Sequence, residues 1–475
     1  MDIRRVAIIG AGPCGLGAAK YLVAEQKFTT ITLFEQRDQP GGVWNYTGDV
    51  GIADCLSTPH ATPSQRPQQP VNGTFVSPVY DSLETNIPKS MMQFIDSPFP
   101  TGTALFPTHR VVKDYLHHYA EDLRPLIRSH SLVLDIKLSK PRPNPEWSVT
   151  WRDLQTNRVL DAHFDAVVVA NGHHNDPYIP AIPGLAEWSR KFPASIVHSS
   201  SYRRADAFAG KKVIVVGHSA SGIDIALQIS RVSQHPLLIS ERTATSLSPE
   251  QAAVSESLPE IALLDPDHSL VRFTDGREET DVDHIVFCTG YHFSIPFLSS
   301  LEPPIVTDGA RPHSLYNHVF YTAEPTLALV GFPQRIVPFP FSQAQGAWIA
   351  RVFSGRLALP STSEMEQWVQ DWTARRGDGK SFNTLAFPLD AEYINALHEL
   401  SALAACRPGL ENEGRGRQSP FWGEKEKWTR ERFPLIKKAS QALGSRRSEV
   451  TSLEQLGFDF DKNESPSTDV HKAHL

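Results

Sequence analysis

Residues 5–15 read RVAIIGAGPCG. The apolar, β-branched run that comes first is typical of a buried parallel strand. The three glycines that follow, Gly10, Gly12 and Gly15, permit a tight turn and a close approach of the backbone to a ligand. A pyrophosphate can then bind to the N–H groups at the start of the next helix. The stretch therefore predicts a strand, a turn and a helix that together bind a dinucleotide.

The chain after this turn completes the unit. Residues 28–35 read FTTITLFE, a second strand that ends on Glu35. Glu35 lies 20 residues after Gly15 (35 − 15), where a carboxylate can accept hydrogen bonds from the ribose hydroxyls of a nucleotide without a 2′-phosphate. We expect NAD or FAD here, with Pro13 and Cys14 of the turn as further contacts. A glycine-rich turn without a ligand is the alternative.

A second short motif follows Glu35 closely and reads Gly41-Gly42-Val43-Trp44. Without a ligand it would be a loop with a packed tryptophan. Its position just after the ribose-binding acid instead indicates a backbone that passes against a flat ring system. This favours FAD for the first unit and adds Gly42, Val43 and Trp44 to its candidate contacts.

The pattern of strand, turn, helix and strand occurs a second time, later in the chain. Gly217 and Gly222 take the outer glycine positions, and Ser219 stands at the middle one, where its hydroxyl can contact a phosphate. The second strand ends in Ser240-Glu241-Arg242. A cation here suits the 2′-phosphate of NADPH, whereas Glu241 alone would suit NADH. A turn without a ligand and a solvated surface charge at Arg242 are the alternatives. We expect NADPH, with contacts from Gly217, Ser219, Ala220, Ser221, Gly222, Ser240 and Arg242.

Two further buried-strand patterns, at residues 166–170 and 284–288, bracket the second unit. They mark the crossings between a first domain and a second domain inserted into it. We predict an α/β fold with two Rossmann-like dinucleotide-binding domains, the NADPH-binding domain inserted in a discontinuous FAD-binding domain. The predicted divisions are a first FAD-binding part at 1–170, an NADPH-binding domain at 171–288, a second FAD-binding part with substrate-pocket segments at 289–443, and a mobile tail at 444–475.

Composition excludes several classes of protein. The chain has 475 residues, of which 40% are hydrophobic and 21% charged, as in ordinary globular proteins. A net charge of −7 gives no general attraction for nucleic acid. The four cysteines form no CxxC pair, which fits a reducing compartment and excludes a disulfide reductase. Adjacent histidines, at 117–118 and 173–174, point apart and make poor chelates, so we expect no metal.

The sequence also contains features that predict where in the cell the protein is located. It contains no run of about 18 apolar residues, so we expect no membrane-spanning segment. The apolar start at residues 6–9 is too short for the core of a signal peptide. We therefore expect a cytoplasmic protein with a small-molecule substrate, and the sequence allows a homo-oligomer. The final Ala473-His474-Leu475 is a relaxed form of a peroxisomal address, which makes the peroxisome the alternative location.

The segment between the two predicted domains carries a family resemblance. Residues 192–202 read FPASIVHSSSY and match the pattern FxGxxxHxxxY, with Ala194 in place of the glycine. This pattern is similar to the identifying motif of the flavin-containing monooxygenases that oxygenate nitrogen and sulfur, and most closely to their soluble yeast and fungal members. Other segments that resemble this family stand in its order from about residue 4 to Pro360.

The resemblance implies an enzyme in which NADPH reduces FAD and O2 then adds to the flavin. The resulting C4a-hydroperoxyflavin would oxygenate a soft nitrogen or sulfur of a small molecule, and a tailoring step of secondary metabolism is among the reactions it allows. It also implies that Asn86 lies beside the flavin and the NADP, with Thr85 next to it. Without the resemblance, residues 86–88 would be interpreted as a turn.

Two other functions compete with this one. A Baeyer–Villiger monooxygenase that acts on a ketone usually carries a tryptophan where this linker motif ends in Tyr202. A non-catalytic binding protein with an FAD-type fold would not need the second nucleotide unit at Gly217. Both features favour the oxygenation of nitrogen or sulfur.

Overall fold

The computed structural model describes residues 2–48, 62–141, 143–243 and 252–462. Its first sheet has seven strands in the order β16-β17-β18-β7-β1-β2-β3, of which the last five are parallel. The strands are β1 (Arg5–Ile9), β2 (Thr30–Phe34), β3 (Ile127–Arg128), β7 (Ala166–Val169), β16 (Leu315–Tyr316), β17 (Phe320–Tyr321) and β18 (Leu327–Leu329).

Strand β1 is buried on both faces, which explains its continuous apolar sequence. Because side chains alternate across a strand, Val6 and Ile8 enter the core on the side of the first helix, whereas Ala7 and Ile9 face a second layer. That layer is an antiparallel sheet with strands β4 (Ser131–Lys140), β5 (Glu146–Asp153) and β6 (Val159–Phe164).

The second unit has a parallel sheet in the order β11-β10-β9-β15-β8 and a small antiparallel sheet. The parallel strands are β8 (Ile196–His198), β9 (Val213–Val216), β10 (Leu237–Ser240), β11 (Ser255–Leu258) and β15 (His284–Phe287). The antiparallel ones are β12 (Ile261–Asp265), β13 (Leu270–Phe273) and β14 (Glu278–Thr280). This unit interrupts the first sheet between β7 and β16. The predicted α/β class, with one Rossmann-like domain inserted in another, is confirmed.

Helices pack against the two parallel sheets, the one of the first unit and the one of the second. They are α1 (Pro13–Ala24), α2 (Lys89–Met92), α3 (His109–Tyr119), α4 (Leu185–Lys191), α5 (Ala220–Ile229), α6 (Pro338–Phe353), α7 (Thr362–Arg376), α8 (Leu389–Ala402), α9 (Glu424–Glu431) and α10 (Phe433–Ala442). Short 3₁₀ helices lie at Gly42–Trp44, Glu121–Leu126, Ala205–Phe208, Pro296–Leu298, Lys380–Asn383, Gly444–Glu449 and Glu454–Leu456.

Helices α1 and α6 form the closest helix pair of the first unit. A Cβ atom on Gly346 would lie 2.7 Å from the Cα atom of Ala18, and one on Gly17 would lie 2.6 Å from the Ser342 hydroxyl. Such spacing requires glycine at both positions. The pair fixes the start of α1, which follows the first glycine turn, against the core.

The segment from Gly444 differs from the mobile tail that we expected. Its described part, up to Lys462, packs on the first unit, and Val450 and Phe458 are buried with Phe106 and Ile436. Enough apolar side chains occur in this polar segment to anchor it. Ala473-His474-Leu475 lies outside the described residues, as does Cys55. Within the described ranges, no helix is both long and apolar enough to cross a membrane.

Candidate active site

The first glycine turn joins β1 to α1 and uses each glycine differently. Gly10 has a left-handed φ of 104°, and a Cβ atom on it would lie 2.6 Å from the Ala170 carbonyl oxygen. A Cβ atom on Gly15 would lie 1.9 Å from the carbonyl oxygen of Gly10 itself. By contrast, a Cβ atom on Gly12 would meet nothing closer than the Gly42 Cα atom, at 3.6 Å. Gly10 and Gly15 therefore serve packing, while Gly12 leaves space beside the start of α1.

Gly12 is also the N-cap of α1 and has no side chain with which to cap the helix. The first N–H groups of a helix have no partner within it, and they carry a partial positive charge. Gly12, Pro13 and Cys14 all line a large cleft. The start of α1 is thus a site suited to an anion such as a pyrophosphate.

Glu35 follows β2 and is nearly buried. One carboxylate oxygen accepts the N–H of Ala11 at 2.9 Å, and the other accepts the N–H of Arg37 at 2.9 Å. Burial raises the pKa of this carboxyl, and the two backbone N–H groups oppose that change. Each oxygen keeps a lone pair for a further donor, and Glu35 lines the same cleft.

Residues 41–44 cross over the first turn. Gly41 has a φ of 115° and donates its N–H to the Ala11 carbonyl at 2.9 Å. A Cβ atom on Gly42 would lie 3.0 Å from the Gly12 Cα atom, so two glycines meet where the backbones cross. Gly42, Val43 and Trp44 line the cleft.

Thr85 and Asn86 reach the cleft from another part of the chain. Thr85 is buried, and its hydroxyl donates to the Ile87 carbonyl at 2.9 Å. Asn86 is exposed and lines the cleft. The structure thus brings Asn86 to the same cleft as Glu35 and Gly12, although the three lie far apart in sequence.

The cleft has a volume of about 860 Å³, large enough for a nucleotide cofactor and a small substrate. It extends to Ser200 and Ser201 in the linker of the second unit. Within the described chain, three buried polar atoms of its wall have no hydrogen-bond partner, and such atoms point to a polar ligand. They are Gln68 Oε1, Asn171 Oδ1 and His173 Nδ1.

The histidines near the cleft are neutral at pH 7. His173 and His174 line it with ring centroids 4.4 Å apart. Desolvation by the surrounding wall lowers the pKa of His174, which is exposed to the cleft, to about 4 and lowers that of His173 well below its usual value. Burial likewise lowers the pKa of His198 to about 4. His198 Nε2 lies 2.9 Å from the Gly290 carbonyl, which can only accept, so Nε2 carries the proton. His198 therefore joins β8 to the end of β15.

The second glycine turn, between β9 and α5, repeats the first. Gly217 has a φ of 91°, and a Cβ atom on Gly222 would lie 2.0 Å from the Gly217 carbonyl oxygen. Ser219 is the exposed N-cap of α5, followed by Ala220 and Ser221. None of these five residues lines the cleft described above. They form a separate edge at the carboxyl end of the second sheet.

Strand β10, which follows α5, differs from the expectation that Ser240 contacts the phosphate of NADPH. Ser240 is 1% exposed, and its hydroxyl donates to the Pro259 carbonyl at 2.8 Å. That hydrogen cannot also reach a phosphate, so Ser240 is not the phosphate donor we predicted. Glu241 is buried as well and accepts the Ser257 hydroxyl at 2.9 Å. Arg242 is 84% exposed, with Nε 3.1 Å from Glu260.

Lys380, which no sequence motif indicated, lies close to the second unit. Its Nζ lies 5.1 Å from the ring centroid of Tyr178, whose N–H donates to the Gly290 carbonyl just after β15. Partial desolvation and the nearby Arg242 guanidinium lower the pKa of Lys380, whose side chain is exposed. Lys380 belongs to the first unit, so no local sequence signal connects it with the second turn.

Comparison with known proteins identifies relatives of this chain. A sequence model of the family described as flavin-binding monooxygenase-like matches residues 68–250 and 262–412, and one of an NAD(P)-binding Rossmann-like domain matches residues 8–61. The flavin-containing monooxygenase FMO GS-OX-like 2 of Arabidopsis thaliana is 36% identical over 377 residues, which is 76% of each chain.

Two further relatives cover nearly the whole chain. The flavin-containing monooxygenase ustF2 of Aspergillus flavus is 28% identical over 491 residues, covering 90% of this chain and 97% of its own. The solved structure of S-allyl-L-cysteine S-oxygenase from Allium sativum is 29% identical. It superposes with a TM-score of 0.77 and covers 96% of this chain and 98% of its own.

Proposed function

The chain belongs to the flavin-containing monooxygenase family, and on that premise we propose that it transfers one oxygen atom from O2 to a nucleophilic sulfur or nitrogen of a small molecule. FAD and NADPH are its cofactors. One observation carries the proposal: a single cleft joins the first glycine turn, Glu35, Asn86 and the linker of the second unit.

The first turn fits FAD. The start of α1 would hold the pyrophosphate, because Gly12 leaves room there and the helix N–H groups supply donors. Glu35 would accept the two ribose hydroxyls with the lone pairs that its backbone bonds leave free. Residues 42–44 and Asn86 would line the site of the flavin ring, and the unpartnered polar atoms of the wall would supply further hydrogen bonds to it.

The second turn fits NADPH better than NADH. A cationic side chain at the end of the second strand suits the 2′-phosphate of NADPH, whereas a carboxylate alone would suit NADH. Arg242 and Lys380 are the cations at this edge, and Lys380 has no carboxylate partner in the described chain. We assign the 2′-phosphate to these two side chains.

FAD supplies the reaction with O2 once it is reduced and bound. The chain's own residues orient the reactants and keep water out. Asn86 would be the hydrogen-bonding side chain at the flavin, and it stands on a loop that the Thr85 hydroxyl stabilises. His173 and His174 stay neutral, so neither imidazole adds a positive charge to the cleft at pH 7.

Sulfur is the better supported acceptor. The structural neighbour from Allium sativum is an S-oxygenase of S-allyl-L-cysteine, and it matches this chain over nearly its full length. A thioether needs only to approach the oxygen donor, because its own lone pair is the nucleophile. The cleft therefore needs no general base for this reaction, which agrees with His198, because both of its ring nitrogens are already bonded, one to the Gly290 carbonyl and one to the Ser200 N–H.

NADPH-dependent O2 uptake tests the proposal. We would measure it with a thioether, a tertiary amine, an indole and a cyclic ketone, and compare product with hydrogen peroxide. We expect product from the thioether or the amine, and an Asn86→Ala variant that oxidises NADPH with little product. Product from the ketone alone would assign a Baeyer–Villiger reaction instead. A colourless protein that oxidises no NADPH would assign a binding function.

A further inference from the structure

The loop that carries Asn86 is held on one side by a neighbouring segment. Thr85 donates its N–H to the Pro107 carbonyl at 3.0 Å, and Lys89 donates its N–H to the Leu105 carbonyl at 2.8 Å. Between these two bonds, Asn86 is exposed to the cleft. These bonds fix the ends of the loop, and the Thr85 hydroxyl spans Asn86 to reach the Ile87 carbonyl at 2.9 Å, but none of the three contacts the carbonyl of the peptide that joins Thr85 to Asn86.

Lys437, on α10, contacts that peptide from the other side. Its Nζ donates to the Thr85 carbonyl oxygen at 2.8 Å. The same Nζ lies 4.3 Å from the Phe106 ring centroid and 3.8 Å from Glu84 Oε2. The side chain is only 16% exposed, and burial lowers its pKa. A lysine amine is costly to bury, so its donors must be used.

The C-terminal segment fixes α10 in place. Arg447 Nε lies 2.9 Å from Glu84 Oε2, and Leu105 donates its N–H to the Val450 carbonyl at 2.7 Å. Ile436, on α10, is fully buried with Phe106. Residues 433–450 thus form a brace behind the Thr85–Asn86 loop, and we call it the C-terminal brace.

We propose that Lys437 is a positioning residue for Asn86. The Thr85 carbonyl and the Asn86 N–H belong to one rigid peptide plane. A hydrogen bond to that carbonyl therefore sets the direction in which the Asn86 side chain leaves the backbone. The inference rests on the proposed role of Asn86 in oxygenation, and it assigns a task in the reaction to a segment outside the cleft.

One variant, a matched control and a rescue variant test this proposal. Lys437→Met removes the donor but keeps an apolar chain of similar length, and Lys438→Met changes the exposed neighbouring lysine. The purified holoenzymes are compared for product per NADPH and for hydrogen exchange of residues 83–89. We expect the ratio of hydrogen peroxide to product to rise about tenfold in Lys437→Met only, since small misplacements of a positioned group have large kinetic effects. Lys437→Arg, which keeps a donor, should restore most of the coupling.

Hydrogen exchange separates this inference from the proposed function. Faster exchange of residues 83–89 in Lys437→Met than in Lys438→Met supports the brace even if no substrate is oxygenated. Equal exchange and equal coupling in the two variants would overturn it. If Lys437→Met does not fold, Arg447→Met takes its place and Arg446→Met becomes the control. Arg447 contacts Glu84, whereas Arg446 is exposed.

Discussion

Ala194 shows how one residue of the linker motif departs from its pattern. The motif has a glycine at this position, and the structure explains why: the backbone there has a φ of 65°. Only glycine adopts this left-handed conformation without strain. The motif therefore reflects backbone geometry at this position, and the chain tolerates alanine because residue 194 is exposed.

We predict that Ala194→Gly stabilises the protein. Relief of left-handed strain is worth roughly 1–2 kcal/mol, and the greater freedom of glycine in the unfolded chain costs about 0.5–1 kcal/mol. The expected net gain is up to about 1.5 kcal/mol, measured by chemical unfolding. Ala209→Gly is the matched control, because Ala209 is also exposed but has a φ of −60°, so it should lose stability. A loss in both variants would contradict the strain argument.

Lys380 gives the second prediction for a single residue. Lys380→Met should raise the KM for NADPH about tenfold, as expected for a lost charged hydrogen bond, and leave that for NADH unchanged. Binding of 2′,5′-ADP measured by calorimetry should weaken equally. Lys191→Met is the control, because Lys191 also lies over an aromatic ring, that of Phe192, but at the end of α4. Equal losses for NADPH and NADH would exclude a role in reading the phosphate.

Some residues of the site were predictable from sequence and others were not. Gly10, Gly12 and Glu35 followed from spacing, since a strand, a turn and a helix fix their relative places. Ser240 was predicted wrongly as a phosphate donor, because all four residues of β10 are buried and its hydroxyl points into the protein. Lys380 needs the packing of one unit against the other, which no local pattern contains.

At the scale of elements, the two β-turn-α units were the most predictable part. Their glycines have distinct tasks that the structure separates, since Gly15 keeps α1 against the first turn while Gly12 leaves space. The antiparallel layer formed by β4, β5 and β6 was not predicted, because its sequence lacks glycine motifs and alternates only in part. It covers the face of the first sheet that carries Ala7 and Ile9.

Alanine substitutions should separate these two tasks. Gly12→Ala should fold, because its Cβ atom would have free space, yet bind FAD more weakly by about 1–3 kcal/mol, since a methyl group would meet the pyrophosphate. Gly15→Ala should fail to fold, because its Cβ atom would lie 1.9 Å from the Gly10 carbonyl oxygen. Flavin fluorescence titration and circular dichroism would measure both effects. Wild-type FAD affinity in Gly12→Ala would place the pyrophosphate elsewhere.

At the scale of the whole molecule, long-range contacts complete the site. The C-terminal brace and Lys380 both come from the last third of the chain. Their contacts could not be predicted from the sequence, because the residues that they contact lie hundreds of positions away or in the other unit. The expected mobile tail was wrong for residues 444–462 for the same reason. Its few apolar side chains find partners only in the folded protein.

Buried histidines should also make the stability of the whole fold depend on pH. The pKa of His198 is lowered to about 4 in the fold, so between about pH 6.5 and 4 the unfolded chain binds a proton that the folded chain does not. Stability is therefore lost as pH falls through this window, by up to about 1.4 kcal/mol per pH unit for one group. His198→Gln should make this dependence shallower, as followed by urea unfolding from pH 7 to 5.

The exposed His268 supplies the control for that measurement. Its pKa is raised by Asp265, so His268→Gln should not reduce the loss of stability on acidification. Burial raises the pKa of Glu35 and of Asp390, so these two carboxyls make the folded protein more stable, not less, as the pH falls. An unchanged pH dependence in His198→Gln would show that His198 is not held neutral by the fold.

The proposed activity is the transfer of one oxygen atom from O2 to a soft nucleophile with electrons from NADPH. The most direct measurement is turnover of a thioether under ¹⁸O2, with the product analysed by mass spectrometry and NADPH consumption recorded in parallel. We predict one ¹⁸O atom in the sulfoxide for each NADPH oxidised. A sulfoxide without the label, or NADPH oxidation that yields only hydrogen peroxide with thioethers and amines alike, would contradict the account.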